Sequence, residues 1–481
     1  MSIIVKASEH ELQQNKPAMA AVPRVVLAAP HGRSGKTTLT IGLVAALVDL
    51  GFAVQAFKKG PDYIDPSWLT QVAGRPCRNL DCFFLTEAQL RESLVKAAAF
   101  AGITVVEGAM GMYDGLDLEG TGSTAQLAKI IKAPVLLVVD CTRMTRSVAA
   151  LVKGFMEFDP EVAIKGVILN RVARSRHEKM LREAVETYCG LPVVGALPKS
   201  DDFVIPDRHL GLIPAGENEA LFQRIEFIRQ AVKRHTNLEQ VVEIARQAPP
   251  LHYSPGVTGF AGKTPCVTVG VIRDRAFTFY YPENLEFLEE NGGQIRFIDA
   301  LNDKELPPVD ALYIGGGFPE VFARDLAANH SLRQSIRKKI DDGLPVYAEC
   351  GGLMYLGREI VVEGQSYPMV GALPFRIVME KKPQGHGYTL METTGANPFW
   401  EEGQLVKGHE FHNSRVIDLE REQVEFAYRV KKGFGIDGCW DGVVYKNVLA
   451  GYNHLHAHSD GSWLKNLIKR GGEWRRRRGS S

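Results

Sequence analysis

Residues 346–355 read Val-Tyr-Ala-Glu-Cys-Gly-Gly-Leu-Met-Tyr, an apolar strand that runs into a cysteine, two glycines and an apolar helix start. Such a strand-to-helix turn lifts the cysteine side chain clear of the sheet, because glycines permit the tight backbone. The start of the helix also favours a thiolate. The pattern is typical of a nucleophile elbow with the sulfur of Cys350 as nucleophile. The alternative is a buried cysteine that only packs.

A glycine run upstream predicts the anion site that such a nucleophile needs. Residues 311–314 form an apolar run, and three glycines follow at 315–317. Backbone N–H groups of Gly316 and Gly317, with that of Gly351, could form an oxyanion hole. The alternative is a flexible glycine turn. The base must be a histidine, and the spacing does not choose among His386, His409, His412, His454, His456 and His458.

The N-terminal half carries a second chemical motif. Residues 24–29 form an apolar run, 30–38 read Pro-His-Gly-Arg-Ser-Gly-Lys-Thr-Thr, and 39–50 have helical periodicity. A strand, a glycine-containing loop, Gly-Lys-Thr and a helix form a phosphate cradle, in which Lys36 adds charge and Thr37 can reach Mg²⁺. The match is imperfect, because Pro30 stands where a glycine is expected.

Acidic residues follow the neighbouring predicted strands. Asp62 and Asp65 come after the strand predicted at 53–57, and Glu107 ends the strand predicted at 103–106. Acids at the carboxyl ends of parallel strands can meet a metal-bound triphosphate. Because a phosphate loop is predicted nearby, these acids are interpreted as Mg²⁺ ligands; the alternative is that they are ordinary surface or turn residues. Further along, Arg208 and His209 could bind an anionic substrate or could serve only as solvated capping residues.

Strands alternating with helices predict two α/β domains, since 481 residues exceed what one core usually serves. A single long helix is expected over 217–247. The predicted organisation is a leader at 1–22, a first domain at 23–247, a linker at 248–264, a second domain at 265–470 and a basic tail at 471–481.

The bulk composition excludes several classes of function. A formal net charge of +1 argues against a general role on nucleic acids or membranes, and the four arginines at 475–478 are interpreted as a solvated tail. Seven scattered cysteines indicate a reducing compartment. No apolar run reaches membrane-spanning length, so a cytoplasmic location is expected.

Taken together, these motifs resemble a known family. The segments at 315–320, 349–353, 408–412 and 452–456 resemble the class I glutamine amidotransferase domain of cobyric-acid-type synthetases. The segments at 34–38, 59–65, 106–115 and 208–212 narrow the resemblance to the cobyrinic acid a,c-diamide synthase family. It spans 24–467 in the right order. It implies a mostly parallel sheet flanked by helices in each domain, first P-loop NTPase-like and then flavodoxin-like.

The resemblance also implies the chemistry. Tetrapyrrole acetate side chains are amidated with ATP and with ammonia from glutamine, through an acyl phosphate; Cys350 is the nucleophile and His454 its base. His456 stands where class I triads commonly carry a glutamate, so a Cys–His dyad is expected. The residues implied for ATP are Gly32, Arg33, Ser34, Gly35, Lys36, Thr37 and Thr38; for Mg²⁺, Thr37, Asp62 and Glu107; for substrate binding and activation, Asp65, Asp114, Arg208 and His209.

Several alternatives stay open at this stage. The phosphate loop and the Ala457-His458 continuation depart from the family pattern, which leaves nickel-sirohydrochlorin or sirohaem as alternative substrates. A regulatory P-loop ATPase with a degenerate glutaminase module would lack a nucleophile or base. A cysteine hydrolase without ATP would leave Lys36 and its neighbouring acids unexplained. Expected partners are glutamine, ATP and a tetrapyrrole polycarboxylate, with no nucleic acid or membrane; a homodimer is an open alternative to a monomer.

Overall fold

Fully apolar runs in the N-terminal half become buried strands, as expected where helices cover both faces of a sheet. The computed structural model describes residues 18–203, 207–208, 211–212, 220–256 and 266–479. The chain divides into two units, Met1–Gly259 and Phe260–Ser481. The strands described in the first unit are β1 (Ala18–Ala20), β2 (Arg24–Ala28), β3 (Val54–Lys59), β4 (Arg78–Leu80), β5 (Ile103–Glu107), β6 (Val135–Asp140), β7 (Ile164–Val172), β8 (Val193–Pro198), β9 (Asp207–Arg208), β10 (Gly211–Leu212) and β11 (Leu251–Tyr253).

Helices connect these strands. They are α1 (Lys36–Asp49), α2 (Ile64–Ala73), α3 (Glu87–Ala97), α4 (Thr124–Ile130), α5 (Ser147–Phe158), α6 (Ser175–Cys189), α7 (Ala220–His235) and α8 (Leu238–Arg246). Seven strands form one parallel sheet in the order β4-β3-β5-β2-β6-β7-β8. The carboxyl ends of β2, β3 and β5 therefore lie side by side, and the segments predicted to bind phosphate and metal follow these three ends.

Two expectations for this unit differ from the structure. The predicted helix over 217–247 is interrupted, because the Asn237 side chain caps α8 by accepting the Gln240 N–H at 3.0 Å. Part of the predicted linker, β11, pairs antiparallel with β1 in the predicted leader. Each of these strands has three residues, too few to show a period in the sequence. Residues 1–17 and 257–265 lie outside the described residues.

The second unit combines parallel and antiparallel strands. Its strands are β12 (Val267–Ile272), β13 (Gly293–Ile298), β14 (Ala311–Ile314), β15 (Val346–Glu349), β16 (Glu359–Val362), β17 (Gln365–Pro368), β18 (Arg376–Met379), β19 (Gly385–Thr393), β20 (Leu405–His412), β21 (Ser414–Ile417), β22 (Glu425–Lys432), β23 (Trp440–Tyr445) and β24 (Val448–Gly451). Its described helices are α9 (Pro282–Glu290), α10 (Ala323–Ala328), α11 (His330–Asp341), α12 (Gly351–Leu356) and α13 (Ser462–Gly479).

Nine of these strands form one sheet in the order β13-β12-β14-β15-β24-β23-β22-β19-β20. The pairs from β13 to β24 are parallel, and those from β24 to β20 are antiparallel. A separate four-stranded sheet has the order β17-β16-β18-β21. The α/β class predicted for both units is confirmed, and the predicted nucleophile follows β15, an interior strand of the parallel part.

The C-terminal arginines are exposed, as the sequence suggested, and they belong to a helix. They lie on the last turns of α13, whereas Trp474 just before them is buried. Buried Trp463, Leu464, Leu467 and Ile468 pack the earlier turns of the same helix into the core. The helix therefore continues through 471–479, because its apolar side is anchored on the unit. None of the helices among the described residues is long and apolar enough to cross a membrane.

A buried arginine ties the first unit together. The Arg24 side chain, fully buried at the start of β2, donates to the carbonyl oxygens of Val22 at 2.8 Å, Ile131 at 2.6 Å, Lys132 at 3.1 Å and Pro249 at 2.7 Å. It thereby links the strand to two segments more than 100 residues away in the chain. If Arg24 were replaced by an apolar residue, these buried carbonyl oxygens would lose a charged hydrogen-bond donor.

We predict that Arg24→Met lowers the free energy of unfolding of the first unit by at least about 2 kcal/mol, because hydrogen bonds to a charged donor are lost inside the protein. The measurement is urea unfolding followed by circular dichroism. Arg229→Met is the matched control, since Arg229 pairs with Asp49 and Glu226 at the surface and such pairs contribute about 1 kcal/mol or less. Equal shifts in the two variants would contradict the structural role of Arg24.

Candidate active sites

The predicted nucleophile elbow is present at the end of β15. Cys350 is buried, has a φ of +47° and a ψ of −97°, and directly precedes α12. A positive φ is strained for a cysteine, and such strain is often found at functional sites. The conformation is held because the Cys350 N–H donates to the Gly451 carbonyl oxygen at 2.7 Å, and the Cys350 carbonyl accepts the Met354 N–H at 3.0 Å.

The three glycines predicted for the oxyanion hole lie together. A Cβ placed on Gly351 would lie 3.0 Å from the Gly317 nitrogen and 3.3 Å from the Gly316 carbonyl carbon. A Cβ on Gly317 would lie only 2.1 Å from the Ala276 carbonyl oxygen, so no larger residue fits there. Backbone amides of these glycines therefore gather beside Cys350.

The surroundings of Cys350 oppose the thiolate that the helix start is expected to favour. Burial raises the pKa of the Cys350 thiol well above its usual range, and the nearby Glu320 carboxylate acts in the same direction. Desolvation of a charged sulfur is costly. Burial therefore favours the thiol form, and a base that takes its proton would assist attack.

Among the candidate bases, the structure brings His454 to this glycine cluster. A Cβ on Gly316 would lie 2.6 Å from Cε1 of the His454 ring. The ring also stacks on His409 with centroids 4.9 Å apart, and its Nδ1 lies 3.6 Å from Glu349 Oε2. His454 thus stands beside the predicted oxyanion site.

The other candidate histidines have different surroundings. His412 stacks on Tyr452 with centroids 3.6 Å apart, and its Nδ1 lies 2.8 Å from the Ser414 carbonyl oxygen. His386 is exposed and lies against Phe411. Burial lowers the pKa of His409 well below its usual range, and His454 and His456 act in the same direction. His409 is therefore neutral and packs against the candidate base.

In the first unit, the predicted phosphate loop joins β2 to α1. Gly35 has a φ of +90°, and a Cβ there would lie 2.3 Å from Asn170 Nδ2. Asn170 in turn donates to the Ser34 carbonyl oxygen at 2.9 Å. The Lys36 Nζ donates to the carbonyl oxygens of Met110 at 2.5 Å and His31 at 3.3 Å. Arg33 is exposed beside the loop, and Gly32 has open space around it.

Carboxylates from two further strand ends converge on this loop. The Thr37 hydroxyl donates to Glu107 Oε1 at 2.6 Å and lies 3.2 Å from Asp65 Oδ2. The Lys58 Nζ lies 2.6 Å from Asp65 Oδ2, 2.8 Å from Glu107 Oε1 and 3.7 Å from Asp62 Oδ2. The predicted neighbours Thr37, Asp62, Asp65 and Glu107 are therefore brought together around one ammonium group.

The pKa values of the charged groups in this cluster are shifted in different directions. Burial raises the pKa of Glu107 to about 7, with Lys58 acting against it, and raises that of Asp62 to about 6. Burial would also raise the pKa of Asp65, but its contact with Lys58 outweighs burial and lowers it. Burial lowers the pKa of Lys36 to about 8, and the neighbouring Lys58 adds to this effect.

The residues at this site fit a hydrated Mg²⁺ ion. Glu107 Oε2 is buried and has no hydrogen-bond partner among the described residues, so it could serve as a ligand. In the described part of the chain, no group of three or more His, Cys, Asp or Glu side chains is arranged to hold a metal alone. Mg²⁺ in nucleotide sites usually binds one or two carboxylates and completes its coordination shell with phosphates and water, so it does not need such a group.

The remaining predicted residues have other surroundings. Asp114 accepts the Gly111 N–H at 2.9 Å and shapes its own loop while staying exposed. The Thr38 hydroxyl donates to the Phe203 carbonyl oxygen at 3.2 Å, which ties it to a segment further along the chain. His209 and the side chain of Arg208 lie outside the described residues.

Two site residues were missed by reasoning from the sequence. Lys58 is the penultimate residue of β3 and begins the sequence Lys-Lys-Gly-Pro, in which the acids that follow give the stronger functional signal. Glu349 directly precedes Cys350, and nothing in the local sequence distinguishes it from an ordinary strand residue. In both cases the charged group is buried by tertiary packing, which the local pattern does not reveal.

Comparison with known proteins matches each half of the chain to a known domain family. Residues 25–212 match the CobQ/CobB/MinD/ParA nucleotide binding domain, and residues 268–462 match the CobB/CobQ-like glutamine amidotransferase domain. A protein of Magnetococcus marinus named cobyrinate a,c-diamide synthase is 44% identical, covering 95% of this chain and 98% of the relative. Proteins of the same name from Archaeoglobus fulgidus and Methanothermobacter thermautotrophicus are 42% and 41% identical, over 93% and 94% of this chain and 97% and 100% of theirs.

At 41–44% identity over nearly the full length of these relatives, and with both sets of motif residues gathered into sites, the chain belongs to the cobyrinate a,c-diamide synthase family.

Proposed function

We propose that this protein amidates the a and c acetate carboxylates of cobyrinic acid, using ATP and ammonia released from glutamine. One observation carries the proposal: a single chain contains both sites. One has an elbow cysteine, clustered glycine amides and a histidine that lies against the glycines. The other has a phosphate loop whose Thr37 contacts a buried carboxylate. Neither the hydrolase nor the regulatory ATPase alternative needs both sites. Full-length relatives named for this reaction support it over the nickel-sirohydrochlorin and sirohaem alternatives.

In the second unit, Cys350 attacks the side-chain amide carbon of glutamine. His454 takes the thiol proton, and the backbone amides of Gly316, Gly317 and Gly351 bind the developing oxyanion. Collapse of this intermediate returns the proton to the departing nitrogen, which leaves as ammonia. Water then hydrolyses the thioester to glutamate and restores the thiol. Because burial raises the pKa of the Cys350 thiol, a base that takes its proton assists the attack.

In the first unit, ATP lies on the phosphate loop. Gly32, Ser34 and Gly35 supply backbone contacts, Lys36 lies beside the phosphates, and Arg33 adds charge at the exposed side. When bound, Mg²⁺ would neutralise phosphate charge, held by Thr37, Asp62 and Glu107. Lys58 keeps Asp65 and Glu107 close together without a metal.

The substrate carboxylate attacks the terminal phosphorus of ATP, and the bond to ADP breaks. The resulting acyl phosphate is a far better electrophile than a carboxylate. Ammonia attacks its carbonyl carbon, phosphate leaves, and the new nitrogen loses a proton to give the carboxamide. We propose that Asp65 and Asp114 lie on the side of the site where the carboxylate is activated.

The choice of substrate is tested by offering cobyrinic acid, nickel-sirohydrochlorin and sirohaem side by side with ATP and glutamine. We expect cobyrinic acid to undergo two carboxyl-to-carboxamide conversions, read as two successive mass changes. Preferential amidation of either other tetrapyrrole would overturn the corrinoid assignment while preserving the reaction class.

We predict that Cys350→Ala reduces glutamine-driven amidation at least about 1,000-fold, because the covalent nucleophile is lost. Amidation driven by added ammonium salt should be unchanged, since it bypasses this site. Cys439→Ala is the control, because Cys439 is an exposed cysteine of the same unit. Loss of both activities in Cys350→Ala would be inconsistent with two separate sites.

We predict that Glu107→Gln lowers amidation at least about 100-fold with either nitrogen donor, because the amide cannot bind Mg²⁺ or pair with Lys58 as a carboxylate does. Product formation is measured with glutamine and with ammonia, and hydrolysis of glutamine is followed separately and should persist. Glu161→Gln, an exposed carboxylate of the same unit, should behave as the unmodified protein. Normal ammonia-driven amidation in Glu107→Gln would remove this residue from the nucleotide site.

A further inference from the structure

A buried carboxylate lies directly before the nucleophile. Glu349 is the last residue of β15 and is 1% exposed. Its Oε1 accepts the Tyr347 hydroxyl at 3.0 Å and the Leu455 N–H at 3.1 Å, and its Oε2 accepts the Tyr313 hydroxyl at 3.2 Å. These neutral donors fix both oxygens in place.

The cation that could balance this charge is the candidate base. Within the described residues, the ion-pair contact of Glu349 is with His454, whose Nδ1 lies 3.6 Å from Oε2. No lysine or arginine of the described chain lies within 4.0 Å of that carboxylate. A positive charge formed on His454 therefore meets a carboxylate that is already oriented.

The faces of the His454 ring are held by other contacts. His409 stacks on it at an interplanar angle of 22°, and the two residues exchange backbone hydrogen bonds of 3.1 and 2.8 Å. Gly316 lies close to its Cε1. Stacking of this kind fixes the ring plane, and it leaves the choice of which nitrogen carries the proton to a partner at the ring edge.

His456 occupies the position where class I triads commonly carry a glutamate, and it lies beside another carboxylate, Glu283. His456 packs against Tyr281 with centroids 4.6 Å apart and the rings tilted by 54°, and its Nε2 lies 3.9 Å from Glu283 Oε2. Glu283 is buried too, and the described residues of this unit contain a third buried carboxylate–histidine pair, Glu410 with His412 at 3.7 Å. Only Glu349 is next to both the base and the nucleophile.

We propose that Glu349 is the positioning carboxylate of the glutaminase site, supplied from before the nucleophile in place of the residue two positions after the base. This inference rests on the proposed function. Glu349 holds His454 with Nδ1 protonated, so that Nε2 accepts the thiol proton as sulfur bonds to the amide carbon. The carbonyl π electrons move to the oxygen. When the C–N bond breaks, Nε2 returns the proton to the leaving nitrogen, and Glu349 remains ionised throughout.

The test is Glu349→Gln in the full chain, with glutaminase kcat/KM measured against pH. We expect a loss of at least about 100-fold, carried mainly by kcat, because the base is misoriented and its imidazolium is not stabilised. The acidic limb of the profile should move to lower pH, since the imidazolium loses its anionic partner. Two titratable groups that contact His454 are Glu349 and His409, and only the first changes in this variant.

Glu349→Asp should recover part of the activity and move the acidic limb back toward its original position. Glu283→Gln is the matched control, a buried carboxylate beside another histidine, and should leave the profile unchanged. Ammonia-driven amidation reports an intact first unit in every variant. If Glu349→Gln loses solubility, Glu349→Asp decides by its own pH profile.

An unchanged profile in Glu349→Gln and Glu349→Asp, with Cys350→Ala inactive on glutamine, would overturn this inference alone. The same loss and shift in Glu283→Gln would also overturn it. Full glutamine-driven activity in Cys350→Ala would instead overturn the proposed function on which it rests.

Discussion

Both sites depend on a carboxylate buried at the carboxyl end of a parallel strand. Glu107 ends β5 and Glu349 ends β15, and neither is more than 1% exposed. A buried carboxylate is costly unless it is paired or hydrogen-bonded. The protein compensates Glu107 with Lys58 and Thr37, and Glu349 with two tyrosine hydroxyls, a backbone amide and His454.

These two solutions suit different chemistry. Around Glu107 the partners are a cation and a hydroxyl, and the pKa of the carboxyl, raised to about 7 by burial, makes its charge sensitive to what binds nearby. Around Glu349 neutral donors hold an anion beside a histidine that must become positive during the reaction. In the proposed functions, one site receives phosphate and metal charge, and the other stabilises a transient imidazolium.

Much of the local structure was predictable, because the central strands are continuous apolar runs and the elbow and phosphate loop have strong local signatures. The predictions failed where tertiary contacts decide the structure. The helix over 217–247 is broken by a side-chain cap at Asn237, and the strands at 18–20 and 251–253 form through pairing between distant segments. The arginines after Trp474 continue a helix, because its earlier turns are anchored in the core.

By itself the sequence determined the α/β class and the family, and it predicted the nucleophile and the phosphate loop, because these depend on residue types at short spacings. It could not place Lys58 or Glu349 in a site, because their partners lie 49 and 105 residues away in the chain. Nor could it show that burial raises the pKa of the Cys350 thiol, since that depends on how completely the fold excludes water from the sulfur. Tertiary structure decided these points, because the protonation and orientation of a charged group are set by burial and by the neighbours that burial imposes.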